Sequence, residues 1–114
     1  MREKIMRKLS TTAVLLVLGA LLAASPALAK SARCYTTDEG YFPCQFTATD
    51  SDGSFELSSP DHPGFSMVMD QPGFGFGYLV DGGKSIPLAG QYVRSRDDGA
   101  CWNNPETNDK VCAR

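Results

Sequence analysis

The chain carries one histidine, His62, set between Pro60-Asp61 and Pro63. An imidazole there would serve as a general base only with a nucleophile and an orienting carboxylate in reach. Ser58, Ser59 and Ser66 are close in sequence, yet no G-x-S-x-G elbow presents any of them. His62 therefore reads as a surface loop residue, with partner contact or pH sensing as its functional alternative. Asp50-Ser51-Asp52-Gly53 carries part of a calcium loop. An EF-hand loop aligned on Gly53 wants acidic residues where this chain has Ala48 and Ser59, so the stretch reads as a turn. Asp97-Asp98 are adjacent, and adjacent carboxylates do not face each other across a glycosidic bond. No residue is assigned a catalytic role, no metal or cofactor is expected, and the chain reads as a non-enzyme.

Glycine-rich stretches are the next candidates. GYLVDGGKS (77–85) misses the phosphate-loop spacing, because Gly77 and Gly83 are six positions apart rather than five. GFGFGY (73–78) runs into a turn and a further strand pattern, with no helix whose N–H groups could meet an anion. Its period is two. Phe74, Phe76, Tyr78 and Val80 share one face, and Gly73, Gly75 and Gly77 share the other. The expectation is that the aromatic face builds the core, while the glycine face permits twist or the close approach of another backbone. The functional alternative is an exposed aromatic ladder that stacks on a sugar or on a partner's side chain.

QYVRSRDD (91–98) holds the most promising polar set. On a strand, Tyr92, Arg94 and Arg96 project to one side, next to the loop that leads to Cys101-Trp102. Tyr, Arg and Trp are enriched at binding hot spots, so Tyr92, Arg94, Arg96 and Trp102 form the candidate contact surface. The competing reading packs Tyr92 and Trp102 into the core and pairs the arginines with Asp97, Asp98 or Glu106.

These residues need elements to hold them, and the first thirty positions bear on where those elements form. Arg2, Lys4, Arg7 and Lys8 precede an apolar run, AVLLVLGALLAA, which ends in Ala27-Leu28-Ala29. This is the pattern of a secretory signal peptide cleaved after Ala29, and the run is too short to span a bilayer. The expected organisation is a leader over 1–29 and a single small β domain over 30–114, in the periplasm or secreted. Residues 30–114 keep 7 of the 11 basic and 12 of the 13 acidic side chains, a net charge of −5. That balance argues against nucleic acid and against anionic membranes, so neither is expected as a partner.

A domain of 85 residues buries only roughly 60–65% of its unfolded surface and needs staples. Four cysteines, Cys34, Cys44, Cys101 and Cys112, supply two disulfides in an exported chain. Of the three pairings, Cys34–Cys44 with Cys101–Cys112 is favoured, since each pair brackets a short turn-containing segment. The spacings lack the C-x(2–4)-C clusters of a zinc site.

Between the cysteines, short alternating stretches recur with turn residues between them. Phe42, Cys44, Phe46 and Ala48 fall on one face, Phe65, Met67 and Met69 alternate with Ser66, Val68 and Asp70, and Phe55 and Leu57 are expected inward. D-S-D-G (50–53), Gln71-Pro72 and D-G-G-K (81–84) are turns, SPDHPG (59–64) is a loop, and the tail closes as a hairpin at Cys101–Cys112. The fold class is all-β: an antiparallel barrel or sandwich of six to seven short strands stapled by two disulfides.

The size, the all-β pattern and the stretch AGQY (89–92) leading to Cys101-Trp102 loosely resemble the periplasmic inhibitors of C-type lysozyme. Those are small, exported, disulfide-containing β-barrels. The resemblance implies that a basic residue such as Lys84 or Arg94 would occupy the enzyme's carboxylate cleft. The Ser/Lys loop with which that family inhibits has no counterpart here. The function expected is a module that binds an envelope or extracellular protein or a glycan. The alternative is a structural or envelope-stress protein with no small ligand.

Overall fold

The computed structural model describes residues 28–114. The expected leader, residues 1–29, lies outside the described residues apart from Leu28 and Ala29. Nine strands run in chain order: β1 (Ala29–Thr36), β2 (Gly40–Ala48), β3 (Phe55–Ser59), β4 (His62–Gln71), β5 (Phe74–Asp81), β6 (Lys84–Pro87), β7 (Tyr92–Arg94), β8 (Cys101–Asn103) and β9 (Lys110–Ala113). All pairings are antiparallel. The order β4-β3-β2-β1-β9-β8-β7-β5 closes on itself through β4–β5, giving a barrel of eight strands. β6 is appended to β5 alone. The lower half of β5 pairs with β7 at Phe74 and Gly75, and its upper half pairs with β6 from Tyr78 to Asp81.

Local chemistry sets the turns. The Asp50 carboxylate accepts hydrogen bonds from the Asp52 and Ser54 amides at 2.9 and 3.0 Å, which folds D-S-D-G between β2 and β3. Gly82 and Gly83 have φ of 57° and 80°, the pair of positive angles that a two-residue hairpin between β5 and β6 requires. SPDHPG, expected to be a loop throughout, is tighter than its composition implies. Ser59 pairs with His62, only Pro60-Asp61 turn, and Pro63 and Gly64 already belong to β4.

The two disulfides are Cys34–Cys44 and Cys101–Cys112. Cys34 lies opposite Phe42, so the first bridge runs diagonally across β1–β2, whereas Cys101 and Cys112 face each other directly on β8–β9. The bridges flank the seam where the first strand meets the last. β1 and β9 pair over only three positions, extended by reciprocal backbone bonds between Arg33 and Arg114 at 2.8 and 2.9 Å.

The strand count rises from the expected six or seven to nine, chiefly through β1. Its inward residues, Ala32 and Cys34, are too small to produce a hydrophobic period that stands out in the sequence. The core itself follows the expected parity: Phe55, Leu57, Phe65 and Met67 are buried inside, with Phe42, Phe46 and Met69 packed against them.

GFGFGY is the exception, and its faces are reversed. Gly75 and Gly77 point into the barrel, while Phe74 and Phe76 stand outside, 36% and 42% exposed. The cause is the interior of a small barrel, which is filled by pairing large residues with small ones. Met67 faces Gly77, Met69 faces Gly75, and Tyr92 faces Gly75 from the other side. A methyl group on Gly77 would lie 2.7 Å from the Tyr92 ring and 3.0 Å from Phe65. On the outer surface Phe76 lies beside Val68, and Phe74 beside Val93.

Two carboxylates make the fold sensitive to acid. The Ser54 hydrogen bonds hold Asp50 below the usual carboxylate range, and the Arg114 guanidinium, bound to both oxygens of Asp98, does the same there. A group whose folded pKa is depressed contributes stability above its unfolded pKa and loses it as pH falls through the folded value. Stability is therefore expected to hold down to about pH 4 and to decline below it. Urea midpoints measured from pH 6 to pH 2 check this, and Asp98→Asn flattens the decline.

Candidate functional site at the upper mouth of the barrel

The end of the barrel that carries the turns at 37–39, 60–61 and 82–83 is open. A cavity of about 290 Å³ lies there. Its floor is Phe65 and Tyr92, whose rings meet edge to face at 5.6 Å. One wall is Phe42, with the His62 ring stacked on it at 4.0 Å. Leu79 and Leu88 complete the apolar lining. The opening exists because β7 pairs with the lower half of β5 only. Above that level Leu88 fills the gap, its N–H bound to the Gly77 carbonyl at 2.9 Å.

The rim is polar and mostly acidic, carrying Asp38, Glu39 and Asp109. Thr37 ties it together: its hydroxyl accepts the Lys110 N–H at 2.7 Å, and its own N–H reaches the Lys110 carbonyl at 3.1 Å. Lys110 is the rim's one lysine, but its ammonium sits 5.9 Å from the centre of the Tyr35 ring, and Tyr35 neighbours the inward Cys34 on β1. Residues adjacent on a strand point to opposite faces, so that charge is held on the outer wall. His62 is not the surface residue its composition suggested. Its side chain is 21% exposed, and Nδ1 is buried, 3.4 Å from the Glu39 carboxylate and with no hydrogen-bond partner among the described residues.

Asn104 supports the mouth from behind. It is 1% exposed; its amide donates to the Ala89 carbonyl at 2.7 Å, and its Oδ1 accepts from the Glu106 and Thr107 amides at 3.0 and 3.3 Å. One side chain thus fixes both the 88–91 segment and the 104–109 loop. Sequence reasoning passed over it as part of a polar loop, although Asn before Pro105 is a recognisable signal for a side-chain-closed turn.

The sequence-derived contact set is split by the fold. Tyr92, Arg94 and Trp102 do share one face, but it is the inner face of the barrel. Tyr92 is 1% exposed, and burial pushes its hydroxyl above the ordinary phenol range, with the Asp109 and Asp38 charges acting in the same direction and Asn104 opposing them. Trp102 is buried beside Phe55 at the lower end. Arg94 lies over Trp102 with its guanidinium 5.6 Å from the ring, and donates through Nε to the Gly99 carbonyl at 2.8 Å. Arg96 falls past the end of β7, in the bend before β8. The lower end has its own opening of about 340 Å³, lined by Phe46, Phe55 and Trp102 and overhung by Arg94. The linings of the two openings thus differ: Asp38, Glu39 and Asp109 line the upper one, and Arg94 is the one charged residue lining the lower.

The described residues hold no group of three or more His, Cys, Asp or Glu side chains placed to bind a metal ion. Compared with protein-family models, with curated proteins and with solved structures, the chain finds no match.

Proposed function

We propose that this chain is a small exported binding module, periplasmic or secreted, and not an enzyme. It takes a protruding group of an envelope or extracellular protein or glycan into the upper mouth of its barrel. The observation that carries this reading is the cavity at that mouth: aromatic at its base, open to solvent and framed by polar turns. Recognition sites commonly combine an apolar lining with a few placed polar groups, and barrel mouths are a usual location for them. The two disulfides are consistent with an oxidising, exported setting.

A second observation favours a different surface. Val68, Phe74 and Phe76 form an exposed apolar strip on the outer wall, the kind of patch that marks protein contacts. The two readings separate by mapping. Amide spectra of the isotope-labelled chain, recorded with fractionated periplasmic or culture-fluid extract, should shift at Thr36–Glu39, Leu88 and Asp109–Val111. Shifts confined to Val68 and to 74–76 would move the site to the outer strip.

The inhibitor version makes its own demand. Lys84 opens β6 next to the β5–β6 turn at the upper end and Arg94 lies at the lower end, so an inhibitor of the kind the resemblance implies would present one end only. A C-type lysozyme assay at micromolar protein, with Lys84→Ala and Arg94→Ala in parallel, tests it. No inhibition by the parent chain removes this version and leaves the binding module.

A further inference from the structure

We infer that the group received by the upper mouth is a lysine side chain of a partner polypeptide; this rests on the mouth being the binding site. Size comes first. A cavity of about 290 Å³ lies at the lower limit of sites for drug-sized ligands, and it suits one long side chain presented from outside. A lysine offers a four-carbon stem for Phe42, Phe65 and Leu88, with a compact charge at its tip.

Charge decides the tip. Asp38, Glu39 and Asp109 line the mouth, and the one lysine among the lining residues holds its ammonium over Tyr35 on the outer wall. Among the lining residues, no lysine or arginine head group therefore stands with the three carboxylates. Asp109 and Asp38 act on the buried Tyr92 hydroxyl, so their field reaches the floor as well as the rim. The aromatic rings add a cation–π attraction for an ammonium passing over their faces.

Hydrogen bonding points the same way. His62 Nδ1 is enclosed and stands 3.4 Å from Glu39 Oε2, a contact that is an ion pair only when the imidazole is protonated, so it is no permanent counter-charge for Glu39. An ammonium has three donors and no acceptor. Placed at the mouth, it can donate to the exposed carboxylates of Asp38 and Glu39. A carboxylate in the same position would put lone pairs towards the acidic rim, and a hydroxyl would bring one donor and no charge.

The test uses the folded, disulfide-bonded chain and three probes: a short alanine-rich peptide with one central lysine, the same peptide with norleucine, and free n-butylammonium. Norleucine keeps the stem and loses the charge. Amide shifts at Thr37–Glu39 and Asp109–Val111 report occupancy, recorded at low and at physiological salt. The expected result is saturable binding of the lysine peptide, about fivefold tighter than norleucine, as a partly screened ion pair allows. Affinity should weaken with salt and fall towards the norleucine value in Glu39→Gln and in Asp38→Asn. Those side chains are exposed, so both variants should fold. Equal binding of norleucine and lysine would overturn the inference and leave the mouth as a site for apolar groups. Butylammonium binding as well as the peptide would make the ligand a free amine and overturn the partner-polypeptide assignment. No shift at the mouth with any probe would overturn the inference, while the reading beneath it is decided separately by the extract mapping.

Discussion

Replacing Gly77 by alanine is expected to destabilise the protein by about 2–4 kcal/mol, whereas Phe76→Ala, a far larger truncation one position away, should stay within about 1 kcal/mol. The added methyl group would meet Tyr92 at 2.7 Å and Phe65 at 3.0 and 3.1 Å. Both rings are buried and locked edge to face, so neither can yield as the tip of a flexible side chain would. Gly75→Ala should be milder, because the nearest atom there is the Met67 sulfur, which can swing aside, although the Val68 carbonyl at 3.0 Å cannot. Phe76 is 42% exposed, and its loss removes mainly a cross-strand contact with Val68, worth roughly 0.2–1 kcal/mol. For a domain of this size, Gly77→Ala should lower Tm by roughly 8–32 °C. Thermal unfolding of the two variants side by side is sufficient. The reverse order of effects would restore the arrangement with the aromatic face inside.

Loss of the disulfides is the second large effect. Each bridge closes a ring of similar length, with separations of 10 and 11 residues, so the chain-entropy contribution is about 3 kcal/mol each. A domain of 85 residues has a total stability of roughly 4–13 kcal/mol. Removing one bridge should therefore leave a folded but weakened protein, and removing both should leave little or none. Context separates the two. Cys34–Cys44 spans two strands that already pair over eight positions, while Cys101–Cys112 holds strands that pair over three. The Cys101→Ala/Cys112→Ala double variant should therefore show the greater loss of amide protection, concentrated on β8, β9 and the three-position seam with β1. Hydrogen exchange of the two double variants reads this directly. Equal, uniform loss across the barrel would mean that the bridges act on the unfolded chain alone.

Much of the architecture was legible because alternation is local. Phe55 and Leu57, or Phe65 and Met67, announce their shared face within five residues, and the β-region turn residues announce the hairpins. Period two, however, says which residues share a face and not which face is inside. For Phe42, Phe65 and their neighbours the hydrophobic preference supplies the answer. In GFGFGY it supplies the wrong one, because the decision is steric and comes from Met67, Met69 and Tyr92, the last of these far along the chain. The same fact hid the site. Alternation places Tyr92 and Arg94 on one face, together with Arg96, which falls past the end of the strand, and it leaves Trp102 on a neighbouring loop. Only closure of the barrel shows that the face is internal and shared with Trp102, leaving Tyr92 as the floor of one mouth and Arg94 over the other. His62 was visible as a lone imidazole, yet its stacking on Phe42 and its approach to Glu39 depend on turns that meet only in three dimensions. No motif joins these residues, since they come from β1–β2, β4, β7 and the β8–β9 loop.

The central claim is that the upper mouth is where this protein engages its target. A photo-crosslinking residue placed at Asp38, on the acidic rim, or at Phe76, on the outer strip, tests it in cells that produce the protein. The account predicts a discrete crosslinked species from position 38, lost when Leu88→Trp fills the cavity, and little or none from position 76. A discrete species from position 76, insensitive to Leu88→Trp, with none from position 38, would contradict it.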